Sequence, residues 1–292
     1  MKILRRFCAR VAWLLLVLVM AGCATPGGGA RGVNFFSIQQ DIELGQAALQ
    51  ANNEAMEAAG VPINQDRVRL IRLEYMVERI GAVSRMPDLP YTVTLYHTNM
   101  VNAAAAPGGA IMVFEGLYDP EVGLVQNDDE LAAVIAHEIA HITSRHTTRR
   151  LSAMQSASIL AEIAGALVVG AGHASTADLV RTGFMVAGAV WLPAYSRADE
   201  AEADRVGLMY MARAGYDPRA ALAIWERAME KQESMGRGSI FDTHPTYRDR
   251  HVQLQRMLPA AMQAYERALE ERAAAALSPA KPMARSGSAA AP

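Results

Sequence analysis

The chain has little cysteine, few aromatic side chains and no excess of basic charge. Two cysteines in 292 residues allow neither a disulfide-stapled fold nor a zinc site built from four cysteines. The formal net charge of −2 excludes a general nucleic-acid binder, because contacts to phosphates require a basic surplus. With 51% hydrophobic residues, the chain still has enough apolar sequence to bury a large core.

The first apolar run is too short to span a bilayer, which takes about 18–20 residues. It covers 11–20, follows a basic start and precedes Ala21-Gly22-Cys23. This pattern is typical of a signal peptide and resembles a bacterial lipobox, although Met20 stands where leucine is commoner. We expect residues 1–22 to be a lipoprotein signal peptide and Cys23 to carry the lipid. An ordinary cleaved signal or a short anchor is the alternative.

Three further segments differ in composition from the rest. Residues 158–194 are apolar but interrupted by charges, so we expect a packed helical hairpin or a membrane-contacting lid rather than transmembrane helices. Residues 23–34 and 273–292 are rich in small residues, which predicts a flexible tether and a disordered tail. Residues 35–272 are left for a single folded domain.

The hydrophobic periodicity predicts a mainly helical α+β fold with a small sheet. Strands are expected at 91–97 and 110–114. Helices are expected at 37–59, 65–84, from Asn127 onward, at 199–214, at 217–234 and from 246 to the end of the domain.

The strongest local pattern is His137-Glu138-Ile139-Ala140-His141. Residues four apart share a helix face, so both imidazoles point the same way at metal-chelating distance. Glu138 falls within the apolar sector of that helix, where a carboxylate without partners costs several kcal/mol. A zinc-bound water would compensate it, so this interpretation is favoured over two core histidines and a surface glutamate.

A catalytic zinc site needs a third protein ligand and an open position. Glu200 and Asp204 are four residues apart at the acidic start of a helix and share one face. Glu200 can therefore bind metal while Asp204 hydrogen-bonds a histidine that is itself a metal ligand. His146 lies about 180° around the helix from His137, and we expect it to act as a cation at the helix C-terminus. The remaining histidines lack a supporting pattern and are expected in solvent or core positions: His97, His173 and His251.

Four motif blocks, in order, make the sequence similar to a known family. They are Asn102-Ala103 with 107–111 and 116–117, the HEIAH run with His146, Ser196-Arg197 with Glu200 and Ala203-Asp204, and Thr243-His244-Pro245 with Arg250. Over roughly residues 36–258 the chain resembles the gluzincin metallopeptidases of the HtpX, Oma and CAAX prenyl protease type, especially the short periplasmic lipoproteins of the LoiP kind and the BepA peptidase domain.

The resemblance implies a gluzincin-like domain with a small sheet over a zinc cleft. It implies one Zn²⁺ per chain, held by His137, His141 and Glu200, with Glu138 as general base. The strand at 110–114 would pair with an extended substrate, and its glycines would let the peptide approach closely. The substrate contacts implied in this way are Asn102, Gly109, Ala110, Ile111 and Met112.

The role of His244 stays open between three interpretations. It donates to the developing oxyanion, it plugs the fourth zinc position, or His-Pro simply starts the following helix. Arg250 anchors that loop or contacts the substrate.

Two main functions follow from the resemblance. One is a zinc endopeptidase acting on misfolded or misassembled envelope proteins; the other is a chaperone working with the outer-membrane assembly machinery, with latent protease activity. A structural zinc lipoprotein is a third, weaker interpretation. Ala24 stands where many inner-membrane lipoproteins carry aspartate, so we expect a lipid anchor at the periplasmic face of the outer membrane.

Overall fold

A computed structural model describes residues 33–156, 195–231, 240, 244 and 248–277. The expected signal peptide, Cys23, the apolar segment 158–194 and residues 278–292 lie outside the described residues. From Asn34 onward the described residues belong to one compact unit. Among the helices in these ranges, none combines the length and the apolar character needed to cross a membrane.

Two helices open the domain, and polar caps set where they begin. Helix α1 spans Ile38–Ala58, and the Ser37 side chain and Gln40 form a reciprocal capping box at its start. Helix α2 spans Arg67–Ala82 after Asp66, whose carboxylate accepts from the Arg69 N–H. Both helices were expected from the sequence, with ends that differ by one or two residues.

The sheet has three strands, β1 (Thr92–Tyr96), β2 (Ala103–Ala105) and β3 (Ala110–Phe114), in the order β1-β3-β2. Strand β3 pairs in parallel with β1 and antiparallel with β2, so both of its edges are hydrogen-bonded. The sequence predicted β1 and β3 but not β2, because a run of alanines has little strand propensity.

The glycines before β3 serve internal packing. Gly108 has a φ of 75°, and a Cβ there would lie 2.3 Å from the Ile42 Cα of α1. A Cβ on Gly109 would lie 3.0 Å from the Pro90 carbonyl oxygen. These glycines therefore leave room for neighbouring backbone of the same chain. The resemblance implied instead that they leave room for a substrate peptide.

Within the described residues, the helical body consists of five further helices. These are α3 (Asp128–Thr143), α4 (146–156), α5 (Arg197–Arg213), α6 (Arg219–Lys231) and α7 (Arg248–Leu277). Helix α3 is buried on all sides from Glu130 to Thr143. It packs most extensively on α5, where Gly207 brings the two backbones together; a Cβ there would lie 2.9 Å from the Ala136 carbonyl oxygen.

The described fold confirms a mainly helical α+β architecture with a small sheet. Helix α7 continues to Leu277, past the boundary expected at residue 272. The physical reason is the helix propensity of the alanines at 273–276.

Candidate metal centre

Helix α3 carries the HEIAH run at the centre of the domain. Asn127 caps its first turn, accepting from the Glu130 N–H at 2.9 Å. His137, Glu138 and His141 are all buried, with Glu138 fully so. The prediction that Glu138 is buried is therefore confirmed, and the helix around it is buried on all sides.

Helix α5 brings two acidic side chains to the same place. Ser196 and Asp199 form a reciprocal capping box, which puts Glu200 in the first turn, where the helix dipole favours negative charge. Asp204 follows one turn later, and both carboxylates are buried. The structure thus brings Glu200 and Asp204 beside the two histidines of α3, as the sequence analysis expected.

Four donor atoms from these helices and from His244 surround one point. The Nε2 atoms of His137 and His141 are 3.0 Å apart, and they lie 3.4 Å from Glu200 Oε2 and Oε1, respectively. His244 Nδ1 lies 3.3 Å from His137 Nε2 and 3.1 Å from Glu200 Oε1. A tetrahedral zinc site with bonds of about 2.0 Å has edges of about 3.3 Å. The cluster can hold a metal, and its spacing and ligand types fit zinc.

A buried arginine supports the acidic half of the cluster. Arg250 donates two hydrogen bonds to Asp204, from Nε to Oδ2 at 2.6 Å and from Nη2 to Oδ1 at 2.8 Å. Its Nη1 also lies 2.6 Å from Glu200 Oε2, and its guanidinium carbon sits 3.8 Å from the centre of the Trp225 ring. Asp204 Oδ1 in turn lies 3.1 Å from His137 Nδ1. The structure places Arg250 as an anchor for both carboxylates.

These contacts set the ionisation of the ligands. Burial disfavours the carboxylate of Glu200, but the charge of His244 and hydrogen bonds from His137 and His141 hold its pKa well below the usual range. Burial also disfavours charged His137, yet Asp204 and Glu200 raise its pKa to about 9. For His141, burial dominates and lowers the pKa well below its usual value.

Glu138 lies at the edge of the cluster in a different environment. Neither of its carboxylate oxygens has a hydrogen-bond partner in the described part of the chain, and His244 Nε2 lies 3.3 Å from Oε1. Burial raises its pKa, and the charges of His244 and His137 only partly oppose this. A buried carboxylate with free lone pairs and a raised pKa is suited to accepting and returning a proton.

His244 therefore stands between the donor set and Glu138. Its Nδ1 completes the set of four atoms, and its Nε2 faces Glu138. The nearby Ile240 N–H donates to the carbonyl of Val101, the residue that precedes Asn102 and β2. The segment that carries His244 is thus attached near the start of the small sheet.

Two side chains that contact His141 differ from the sequence-based predictions: His146 was predicted in another role, and Tyr195 was not predicted at all. Helix α3 ends at Thr143, and His146 begins α4 behind His141, so it does not cap the C-terminus of α3. Burial lowers the pKa of His146, which opposes the expected cationic role. Tyr195 stacks on His141 with ring centres 3.9 Å apart; as an isolated tyrosine after 158–194, it carried no motif that would have identified it.

Among the described strands, β2 pairs with β3 on one side, and the accessible part of its other side is Ala104 and Ala105, because Ala103 is fully buried. The Phe114 N–H donates to the Asn102 carbonyl at 3.1 Å, which makes these residues a hydrogen-bonded pair. Such pairs alternate along an antiparallel ladder, so the backbone groups of Ala103 and Ala105 point away from β3. No backbone partner meets them within the described residues. Substrate pairing with 110–114, as expected from the sequence, is blocked because β1 and β2 already occupy both edges of β3.

Known proteins are similar to this chain over far more residues than those of the metal cluster. The chain is 35% identical over 187 residues to the mitochondrial metalloendopeptidase OMA1 of Schizosaccharomyces pombe, covering 64% of this chain and 52% of that protein. It is 29% identical over 231 residues to a putative beta-barrel assembly-enhancing protease of Vibrio cholerae, covering 77% and 45%. The beta-barrel assembly-enhancing protease of Escherichia coli K12 is 23% identical over 223 residues, covering 75% and 44%.

The chain spans about half the length of these relatives. The sequence profile of Peptidase family M48 matches residues 69–258, a range that contains all four donors of the cluster together with Glu138 and Arg250. On this match, which covers more than half of its residues, the chain belongs to peptidase family M48.

Proposed function

We propose that this chain is a zinc-dependent endopeptidase that cleaves misfolded or misassembled proteins of the cell envelope. The observation that carries the proposal is the tetrahedral spacing of the donor atoms beside a fully buried glutamate without hydrogen-bond partners in the described residues. The names of the relatives, a metalloendopeptidase and a beta-barrel assembly-enhancing protease, support the same class of activity.

One zinc ion per chain would be held by His137, His141 and Glu200. When bound, zinc supplies Lewis-acid activation of a water molecule and of the scissile carbonyl. Glu138 accepts the proton that the attacking water loses and returns it to the leaving amine. Asp204 and Arg250 keep His137 and Glu200 in place during these steps.

An extended substrate segment adds to the outer edge of β2. The outward backbone groups of the half-buried Ala105 offer hydrogen bonds that read backbone rather than side chains, which suits unfolded segments of many sequences. Asn102 lies at the start of this edge. Of the other expected contacts, Ile111 and Met112 pair with β2 and Ala110 accepts from the Ala106 N–H, whereas Gly109 packs against the Pro90 carbonyl.

The proposed location is the periplasmic face of the outer membrane, with the lipid on Cys23 as anchor. The signal-like N-terminus, the small pair before Cys23 and the envelope-related names of two relatives support it. Radiolabelled palmitate incorporated into the wild-type chain but not into Cys23→Ser, together with sucrose-gradient fractionation, tests this. Label that persists in Cys23→Ser would contradict the anchor.

The endopeptidase activity is tested with the purified full chain in detergent. We expect the zinc-loaded protein to cleave an unfolded protein such as casein, and the protein stripped with a chelator to be inactive until zinc is restored. Folded, protease-resistant proteins should survive, since they offer no extended segment for β2. If zinc-loaded wild type and His244→Ala both leave casein intact, the proposal fails.

A second candidate function, a chaperone or assembly factor with latent protease activity, is favoured by the position of His244. Its Nδ1 occupies the fourth vertex of the donor set, where a catalytic site needs an open position, and its Nε2 faces Glu138. In this state His244 acts as a plug that occupies the fourth position around the metal. Because Ile240 is hydrogen-bonded to Val101 just before β2, substrate binding at the sheet and movement of His244 out of that position affect each other.

Replacing His244 with alanine distinguishes the interpretations of this residue. A plug predicts a faster kcat in His244→Ala, whereas an oxyanion donor predicts a loss of about 10²–10³ in kcat. His251→Ala, which changes an exposed histidine paired with Glu226, is the matched control and should behave as wild type. An unchanged kcat in His244→Ala would contradict both roles.

A further inference from the structure

His146 is a buried histidine with no part in the chemistry described so far. It begins α4, directly after Arg145, whose φ of 55° turns the chain sharply at the end of α3. Its side chain has no exposed surface, and its ring packs edge-on against the ring of His141, with centres 4.8 Å apart. The turn at Arg145 therefore returns the imidazole of His146 to the back of a proposed metal ligand.

The two rings are joined by a short hydrogen bond between their Nδ1 atoms, 2.8 Å apart. His141 turns its Nε2 toward the donor cluster, so in the metal-binding tautomer its proton is on Nδ1. Nδ1 of His146 must then be the acceptor, because two N–H groups cannot form this bond. The remaining proton of a neutral His146 is therefore on Nε2.

That proton faces two carboxylates. His146 Nε2 lies 3.4 Å from Glu202 Oε2 and 3.7 Å from Asp199 Oδ1. Arg149 Nη2 contacts the same two oxygens at 3.2 and 3.4 Å, respectively, and so holds them in place. Glu202 Oε1 also accepts from Ser144 Oγ at 3.3 Å and lies 3.8 Å from Arg85 Nη1. Glu202 is thus fixed from several sides and accepts from His146, while Asp199 lies nearby as a second negative charge.

We propose that His146 is a positioning residue that holds His141 in its metal-binding tautomer, through a chain of contacts from His141 to His146 to Glu202. The inference rests on the metal role of His141 in the proposed function. The two ligand histidines are then oriented by different means. His137 faces a carboxylate directly, whereas His141 reaches one through a second imidazole. A neutral imidazole is a weaker acceptor than a carboxylate, so His141 donates to the metal as a less basic ligand than His137.

The test is the zinc affinity of the full chain, measured by competition with a chromophoric chelator. We expect His146→Leu, which fills the space without an acceptor, to weaken zinc binding about 10–100-fold, the usual effect of losing a partner behind a metal ligand. His146→Gln restores a carbonyl acceptor for the His141 N–H and should recover part of that loss. Glu202→Ala should cause a smaller loss than His146→Leu, because His146 itself remains.

Thermal unfolding of the metal-free variants separates positioning from general packing. A purely structural role predicts equal zinc affinity in His146→Gln and His146→Leu whenever both fold, and that result would overturn the inference. So would a zinc affinity of His146→Leu within twofold of wild type. His251→Ala is the control histidine. A wild-type protein that binds no zinc would instead refute the proposed function, so the two failures are distinguishable.

Discussion

Helices α3 and α5 each contribute one fully buried glutamate to the cluster, and the two carboxylates are in opposite states. Glu138 of α3 has no hydrogen-bond partner among the described residues, and burial raises its pKa. Glu200 of α5 lies beside Arg250, and its contacts with three histidines outweigh burial and lower its pKa. Equal burial of the same side chain thus goes with a raised pKa in one helix and a lowered pKa in the other.

The difference shows that partners decide which role a buried carboxylate has. A carboxylate that is already ionised and hydrogen-bonded makes a stable ligand, while one with free lone pairs can exchange a proton. Both are needed within one site, and the chain achieves this by bringing Arg250 and three histidines to Glu200 while leaving both oxygens of Glu138 without a hydrogen-bond partner among the described residues.

The largest effect is expected from exchanging the two glutamates, one at a time, for glutamine. Glu138→Gln should lower kcat by about 10²–10⁴ because the proton acceptor is lost, with zinc content unchanged. Glu200→Gln should lose zinc as well as activity, since a charged ligand is removed. Cleavage of casein and zinc content by atomic absorption are measured on the same samples.

If the two variants behave alike, the two glutamates do not have different roles. Zinc loss in Glu138→Gln would mean that Glu138 is a ligand, and full zinc content in Glu200→Gln would remove Glu200 from the donor set. Glu74→Gln, a change of the same type at an exposed position of α2, is the control and should keep activity near wild type.

The next effect concerns Arg250, the buried cation that Glu200 and Asp204 share. In the metal-free protein, Arg250→Met should lower the free energy of unfolding by about 3–5 kcal/mol, because two carboxylates are left buried without their cation. The control is Arg72→Met, which breaks the exposed pair with Asp128 and should cost less than about 1 kcal/mol. Urea denaturation measures both, and equal costs would show that Arg250 does not stabilise the α5 carboxylates.

The smallest effect concerns the distance between the two helices. Gly207→Ala places a methyl group against the Ala136 carbonyl and should cost about 1–3 kcal/mol by pushing α5 away from α3. Zinc affinity should fall with it, since the ligands lie on both helices. Gly81→Ala is the control: its three nearest atoms belong to the Tyr91 ring, away from the ligands, so it should leave zinc affinity unchanged.

Local patterns predicted much of the fold and of the site. The spacing of His137 and His141, the burial of Glu138 and the strand at 110–114 all follow from helix or strand periodicity and agree with the structure. The short strand at 103–105 escaped prediction because alanine fits a strand only when its neighbours provide the pairing. Its place at the edge, with β3 in the middle, depends on a strand order that no local pattern encodes.

His146 shows the same limit at the level of a single side chain. Extending α3 as a straight helix put it on the far side from His137, but the chain turns at Arg145 and brings its ring behind His141. That turn is stabilised by contacts distant in sequence, from Arg145 to Asp41 and to the Phe36 carbonyl in the segment around the start of α1.

By itself, the sequence determined the features that repeat within a few residues: two histidines on one helix face, a glutamate among apolar neighbours, and an acidic helix start. Only the tertiary structure decided that Arg250 reaches across to Glu200 and Asp204, and that β3 lies between β1 and β2. The physical reason is the separation along the sequence of the residues that interact. Helix periodicity is set by bonds between near neighbours, whereas partners for buried charges and strand order are set by packing between distant segments.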